Sequence, residues 1–284
     1  WKLGDIFRSK PITIGTPSFF FEDIRDSNKA FASFRSSHQR NSDPYTGRVV
    51  VVGANDGQLH AFKTSDGSEA WSFVPPSLLT RLKLIAHNTH PTSLTHTSYV
   101  DGPVTVADAW VPATASDGTS KSASDWRTHL LFGLGQGAGH GTVSTLWSAS
   151  STCTGAFSEI YSSSYPNYCG YYCLDVTSTE NPTLCGYQSG SRWLTFNVSA
   201  AAAPYLGAPW SAPMVGRVKD GGLEKWVAII GGGYPSSGAA NSAKGLFVFD
   251  LRNGSLLWSY TKANNSGLNY AMPAPPAIVD TDSD

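Results

Sequence analysis

Three carboxylates close the sequence: Asp280, Asp282 and Asp284 alternate through Asp-Thr-Asp-Ser-Asp. Carboxylates at alternate positions of a turn can converge on one hard cation, as in the first half of an EF-hand loop. The spacing therefore points to Ca²⁺ at these residues in a complete domain. The glycine and later acidic ligand that finish such a loop would fall after residue 284, and three ligands at a chain end would hold the ion weakly. The plain alternative is a solvated acidic turn.

His87, His90 and His96 also crowd together, but in a Pro/Thr-rich stretch with no acidic neighbour before Asp101, which reads as a polar loop. Cys153, Cys169, Cys173 and Cys185 share one Ser/Tyr/Gly-rich segment. Cys169 and Cys173 have a spacing that zinc could use, yet no second Cys or His pair stands suitably placed. Disulfides stapling a long loop, made in an oxidising compartment, are the expectation, with connectivity open. Gly53-Ala54-Asn55-Asp56-Gly57 resembles a ligand loop, but Asn-Asp-Gly is also tight-hairpin chemistry and no helix follows to bind an anion. No Ser/His/Asp order, carboxylate pair or Cys/His dyad can be argued, so no catalytic residue is named and the chain reads as non-enzymatic. Asn197, Asn253 and Asn264 match the glycosylation acceptor pattern, a weak signal in so Ser/Asn-rich a chain.

Composition narrows the classes. Of 284 residues 40% are hydrophobic, enough for a globular core, while only 14% are charged and the net charge is −1. This leaves no electrostatic footprint for nucleic acid. No apolar run approaches the roughly 20 residues of a membrane-spanning helix. The chain opens at Trp1 with no Met or signal sequence, so an upstream segment is expected to have been removed.

A repeat must position these residues. Residues 48–75 and 225–262 each read as a β-branched strand, a glycine turn, a second apolar strand, a polar hairpin and a strand opening at tryptophan. Gly67 precedes Trp71, and Gly254 precedes Trp258, by the same four positions. A third copy, 129–141 with 170–182, is interrupted by an insertion at about 142–169 bearing Cys153 and Cys169. Pro11, Pro103, Pro213 and Pro276 each lead a short strand, where a missing N–H is tolerated. Four antiparallel strands per unit with aromatic and glycine signals describe a β-propeller blade. The expectation is an all-β fold: a partial, incomplete ring with units at about 10–100, 101–210 and 211–272, and the first strand of a fourth at 273–284. The one helical candidate is 75–85, from a capping Ser and apolar spacing.

Taken together, Trp1 to Pro11, Val51-Val52-Gly53-Ala54-Asn55-Asp56-Gly57-Gln58-Leu59-His60-Ala61-Phe62, Tyr99-Val100-Asp101-Gly102 and Leu174-Asp175-Val176-Thr177 resemble the C-terminal domain of the PilY family, which are type IV pilus biogenesis factors and tip-associated adhesins. The resemblance implies a modified propeller with a Ca²⁺-binding Asp-rich loop, onto which Asp280, Asp282 and Asp284 map. It further implies calcium control of pilus extension and retraction in twitching motility, minor pilins of the pilus tip as partners, and an extracellular or outer-surface location reached through the periplasm. No receptor can be assigned. The insertion at 142–169 and the shortened Asp loop depart from the family pattern. Gly67-x-x-x-Trp71 and Gly254-x-x-x-Trp258 also resemble the tryptophan-docking motif of quinoprotein dehydrogenases, so a pyrroloquinoline-quinone enzyme is the alternative. In either case the tryptophan would lock neighbouring sheets together.

Overall fold

A computed structural model describes residues 3–18, 26–79, 81–82, 97–138, 167–187, 190–235 and 240–279, and the backbone of 147–148. The first sheet runs in sequence order through β1 (Ile12–Ile14), β2 (Val49–Gly53), β3 (Leu59–Lys63) and β4 (Glu69–Phe73), all antiparallel. The second uses β5 (Val104–Trp110), β6 (Trp126–Gly133), β9 (Tyr171–Asp175), β10 (Thr183–Gly186) and β11 (Arg192–Trp193). Beside it, β7 (Trp147–Ser148), β8 (Asn167–Tyr168) and β12 (Phe196–Asn197) form a small sheet at the borders of the expected insertion. The third repeats the first: β13 (Met214–Asp220), β14 (Leu223–Gly231), β15 (Gly245–Asp250) and β16 (Leu256–Thr261).

The repeat holds at the level of register. Gly53 pairs with Leu59 and Gly133 with Tyr171, each the first residue of the next strand, and Gly231 pairs with Leu246, the second residue of β15. The interruption after Gly133 therefore leaves the β6–β9 ladder intact. Both four-stranded sheets carry a bulge at the same place, between Ala61 and Phe62 and between Val248 and Phe249. Their last hairpins match atom for atom. Asp66 Oδ1 accepts from the Ser68 amide and hydroxyl at 2.9 and 2.7 Å, and Asn253 Oδ1 accepts from Ser255 at 3.0 and 2.7 Å. Gly67 and Gly254 take positive φ, 74° and 73°, which a side chain would resist.

Burial orders the stack. Every residue of β6 and β9 is buried, because the second sheet is covered on both faces. Phe73 of the first sheet packs edge-on against Phe132 at 6.0 Å, and Phe196 stacks on Phe249 of the third at 4.1 Å. Arg40 ties the first two sheets, donating to the Gly15 carbonyl at 2.9 Å and to Thr128 Oγ1 and the Thr177 carbonyl at 3.0 Å.

In the segment where a helix was expected, 75–85, the described residues show a 3₁₀ turn, Pro76–Leu78, and helical backbone at Leu82; residues 80 and 83–85 lie outside the described residues. A helix that the sequence did not announce is α1 (Ala30–Ser37), whose Ser-rich sequence lacks a long apolar stripe. Tertiary contacts create it. The Asp26 carboxylate accepts from the Ala30 amide at 2.7 Å, and Ala30 and Phe34 pack with Trp110 and Trp126. Such helices owe their stability to packing and capping, not to intrinsic preference.

Candidate functional site

Asp280, Asp282 and Asp284 lie outside the described residues, as do Cys153 and the histidines at 87, 90 and 96. The segment leading to the acidic triplet is described as far as Val279. Ser211 Oγ donates to the Ala274 carbonyl at 3.0 Å, and the Ile278 side chain lies over Gly216 of β13.

The strings that carry the family resemblance, far apart in sequence, converge into one clasp. Asn55 accepts the Tyr99 amide at 2.9 Å, donates its own amide to the Asp5 carbonyl at 2.9 Å, and donates from Nδ2 to Asp5 Oδ2 at 3.0 Å. Asp56 Oδ2 accepts the Gly4 amide at 3.0 Å. Arg8 meets the buried Asp101 carboxylate at 2.8 Å through its guanidinium and at 3.0 Å through its amide. Ser9 Oγ accepts the Gly53 amide at 2.9 Å, a bond that Ser211 repeats on Gly231 at 2.9 Å. A Cβ on Gly53 would strike the Val100 carbonyl, and one on Gly231 the Met272 carbonyl. The Asn-Asp-Gly turn is thus more than a hairpin: only Gly57 takes positive φ, and the two polar side chains hold the preceding strap and the lead-in to the second sheet.

His60 completes the clasp. It is buried, with Nδ1 2.6 Å from Glu69 and Nε2 3.0 Å from Asp56. Burial works to lower its pKa, but the hydrogen bonds and charges of Asp56 and Glu69 outweigh it and the net shift is upward. For Asp56, burial pushes upward, while bonds from His60 and the Gly4 amide prevail and hold it below the ordinary carboxylate value.

Two indoles bridge the sheets. Trp71 on β4 donates from Nε1 to the Thr179 carbonyl in the β9–β10 hairpin at 2.6 Å. Trp193 on β11 donates to the Leu251 carbonyl in the β15–β16 hairpin at 3.1 Å, and a Cβ on Gly254 would sit 2.6 Å from its ring. The locking role expected of Trp71 is present. Trp193 was not singled out by spacing, because the second sheet's longer hairpin moves its tryptophan onto an extra strand. A buried ion pair, Lys121 to Glu224 at 2.7 Å, adds a third tie, and Glu224 also accepts from Trp226 Nε1 at 2.9 Å. The long sequence separation of that pair left no local signal.

Cys173 and Cys185 form a disulfide across β9 and β10, and Cys169 is disulfide-bonded as well. The expected stapling therefore holds for these three cysteines. His129 lies against the Cys173–Cys185 bond, the three potential ligand atoms within 4.8 Å, but bonded sulfurs offer no thiolate to a metal. His129 is fully buried, and neither ring nitrogen has a hydrogen-bond partner among the described residues. Burial, only partly countered by Asp175, depresses it to about 4, so the ring is neutral at pH 7.

The fold and these ties define a repetitive all-β scaffold of stacked antiparallel sheets fastened by indole-to-carbonyl bonds. The chain is similar to PilY1 type IV pilus biogenesis factors over nearly its whole length, and the resemblance read from the sequence is borne out. A PilY1 homologue of Xylella fastidiosa is 28% identical over 274 residues, covering 95% of this chain and 17% of the relative. PilY1 of Pseudomonas aeruginosa strain PAO1 is 27% identical over 286 residues, covering 99% of this chain and 19% of the relative. The chain thus spans under a fifth of either protein. The crystal structure of the Pseudomonas aeruginosa PilY1 C-terminal domain aligns with a TM-score of 0.53 at 22% identity, over 96% of this chain and 41% of that one, a likeness of fold. No family model matches the chain.

Proposed function

We propose that this chain is part of a non-enzymatic type IV pilus assembly factor, its three sheets being consecutive blades of a β-propeller at the pilus tip or outer cell surface. The observation that carries the reading is the clasp of Gly4, Asp5, Arg8, Asn55, Asp56, Tyr99 and Asp101. These residues belong to the strings that resemble the PilY family, and the hydrogen bonds among them join the strap before β1, the Asn55-Asp56 turn and the lead-in to the second sheet. Export through the periplasm is consistent with the disulfide chemistry. Asp280, Asp282 and Asp284 are proposed as part of a Ca²⁺ loop whose occupancy regulates pilus extension, retraction and surface attachment, with minor pilins as partners. Support for calcium comes from the alternating carboxylates and the family resemblance.

Two experiments test this. Deleting the gene should remove sheared surface pili and twitching, and the full-length protein should restore both; normal piliation in the deletion strain would overturn the reading. Calorimetric titration of the full-length protein with Ca²⁺ should show uptake that Asp282→Ala abolishes; absence of uptake would remove the calcium part alone. The quinoprotein alternative gains nothing from the docking tryptophans, since indoles donating to hairpin carbonyls serve sheet stacking whatever the chemistry.

A further inference from the structure

We infer that His129, Cys173 and Cys185 form a site for Cu⁺ in the dithiol form of the chain, a site that closing the Cys173–Cys185 disulfide abolishes. The inference is independent of the pilus-assembly reading.

The repeat shows how unusual these three residues are. His129 stands four residues before Gly133, where the other sheets have Val49 before Gly53 and Val227 before Gly231. Cys173 stands two residues after the partner of Gly133, where the other sheets have Ala61 and Val248. Cys185 lies across from Cys173, with Cα atoms 5.7 Å apart, where Trp71 faces Ala61 and Trp258 faces Val248. Three positions that are apolar in both sister sheets thus carry metal-ligating side chains in the second sheet alone.

Register brings them to one point. His129 pairs with Asp175 across β6 and β9, and Cys173 lies two residues from Asp175, so strand alternation puts all three on one face. A ring nitrogen of His129 and the two sulfurs lie within 4.8 Å of one another. Ligands of a single ion at about 2.3 Å stand at most about 4.6 Å apart, so the sulfurs need part only slightly to surround one. A disulfide accounts for the two cysteines and leaves the histidine unexplained. His129 is fully buried against the bond, and neither ring nitrogen has a hydrogen-bond partner among the described residues. Buried polar groups without partners are rare, and this one is aimed at two sulfurs.

The donor set selects the ion. Thiolates favour soft cations, Cu⁺ and Zn²⁺ among them. Structural Zn²⁺ takes four ligands, whereas no fourth Cys, His, Asp or Glu joins the group among the described residues. Cu⁺ is satisfied by three ligands in a dry site. Two thiols and Cu⁺ give the dithiolate complex and release two protons to the buffer, with no electron transferred. The complex carries one net negative charge, and Arg127 and Arg192, which meet Asp175 at 3.4 and 3.8 Å, stand close enough to offset it. Oxidation by the disulfide of a thiol–disulfide oxidoreductase ends binding: that disulfide takes two electrons from the thiolates and two protons from water to become a dithiol, the Cys173–Cys185 bond forms, and Cu⁺ leaves.

The test uses full-length protein, reduced anaerobically with a phosphine and equilibrated with Cu⁺ against graded bathocuproine disulfonate. Copper at this site is the amount held by the parent less the amount held by the Cys173→Ser, Cys185→Ser variant. One ion per chain is expected, and His129→Val should surrender it to less chelator by more than about tenfold, the loss that removing a mere supporting partner can cause. Valine is the residue of the matching positions, and unfolding of the disulfide form checks that the variant folds. Should it not fold, alkylation of the reduced parent decides: Cu⁺ should slow labelling of Cys173 and Cys185 together by several-fold. No copper difference between the parent and the cysteine variant, equal chelator demand for parent and His129→Val, Zn²⁺ held in place of Cu⁺ at equal concentration, or alkylation unslowed by Cu⁺ each overturns the inference.

Discussion

The Trp71 indole donates to the Thr179 carbonyl at 2.6 Å, fastening the outer strand of one sheet to a hairpin of the next. The hairpin is placed to accept it, because Thr179 Oγ1 donates back to the Gly47 carbonyl at 2.6 Å and so anchors the receiving loop to the first sheet. Trp71→Phe keeps the ring and loses the bond, and should cost about 1–2 kcal/mol. Trp71→Ala also empties the space between sheets and should cost about 3–5 kcal/mol. Denaturant unfolding separates the two; a Trp71→Phe variant as stable as the parent would mean that packing alone holds the interface.

Lys121 and Glu224 are both buried and meet at 2.7 Å. Lys121→Met should destabilise by about 3–5 kcal/mol, since the Glu224 carboxylate is left without its counter-charge in a dry site. Replacing both, as Lys121→Met with Glu224→Leu, should recover most of that loss. A double variant as unstable as the sum of its parts would show that the pair is not coupled.

The clasp predicts a pH signature. His60 has a folded pKa raised above 6.5, so its stabilisation is complete below 6.5 and is lost as pH rises through the folded value. Asp56 is depressed below 3.8, so its share is present above 3.8 and fades only as pH falls through the folded value. Both are in force between those limits. The stability difference between the parent protein and His60→Gln should therefore be largest in that window and shrink above it. A difference that grows with rising pH would contradict the protonated, doubly held imidazole.

His129 works in the opposite sense. Its folded pKa near 4 means the unfolded chain takes up a proton that the fold refuses, so stability falls as pH drops from 6.5 toward 4. The matching positions in the other sheets are Val49 and Val227, four residues before Gly53 and Gly231. His129→Val should flatten the acid slope and leave stability at neutral pH unchanged or raised by about 1 kcal/mol, since two unpaired buried nitrogens are removed. A clear loss at neutral pH would show that the imidazole is needed for packing against the Cys173–Cys185 bond.

What could be read from sequence was what local chemistry dictates. The hairpins at Gly67 and Gly254 and the glycine before each turn are set by backbone constraints, and they appear in the predicted order. Trp193 escaped notice because the hairpin before it is lengthened, which breaks the four-residue spacing that marks Trp71 and Trp258. Helix α1 was illegible because its cap is Asp26 and its burial is supplied by distant Trp110 and Trp126. Asn55 and Asp56 read as turn formers, while their use of Gly4, Asp5 and Tyr99 depends on tertiary approach that no spacing encodes.

Native-state hydrogen exchange of the full-length protein carrying Trp193→Phe tests the interlocking of the sheets most directly. The docking scheme predicts faster exchange in β11 and, together with it, in the receiving β15–β16 hairpin from Leu251 to Gly254, while β1 to β3 keep their protection. Unchanged protection of that hairpin would contradict the claim that indole-to-carbonyl bonds fasten each sheet to the next.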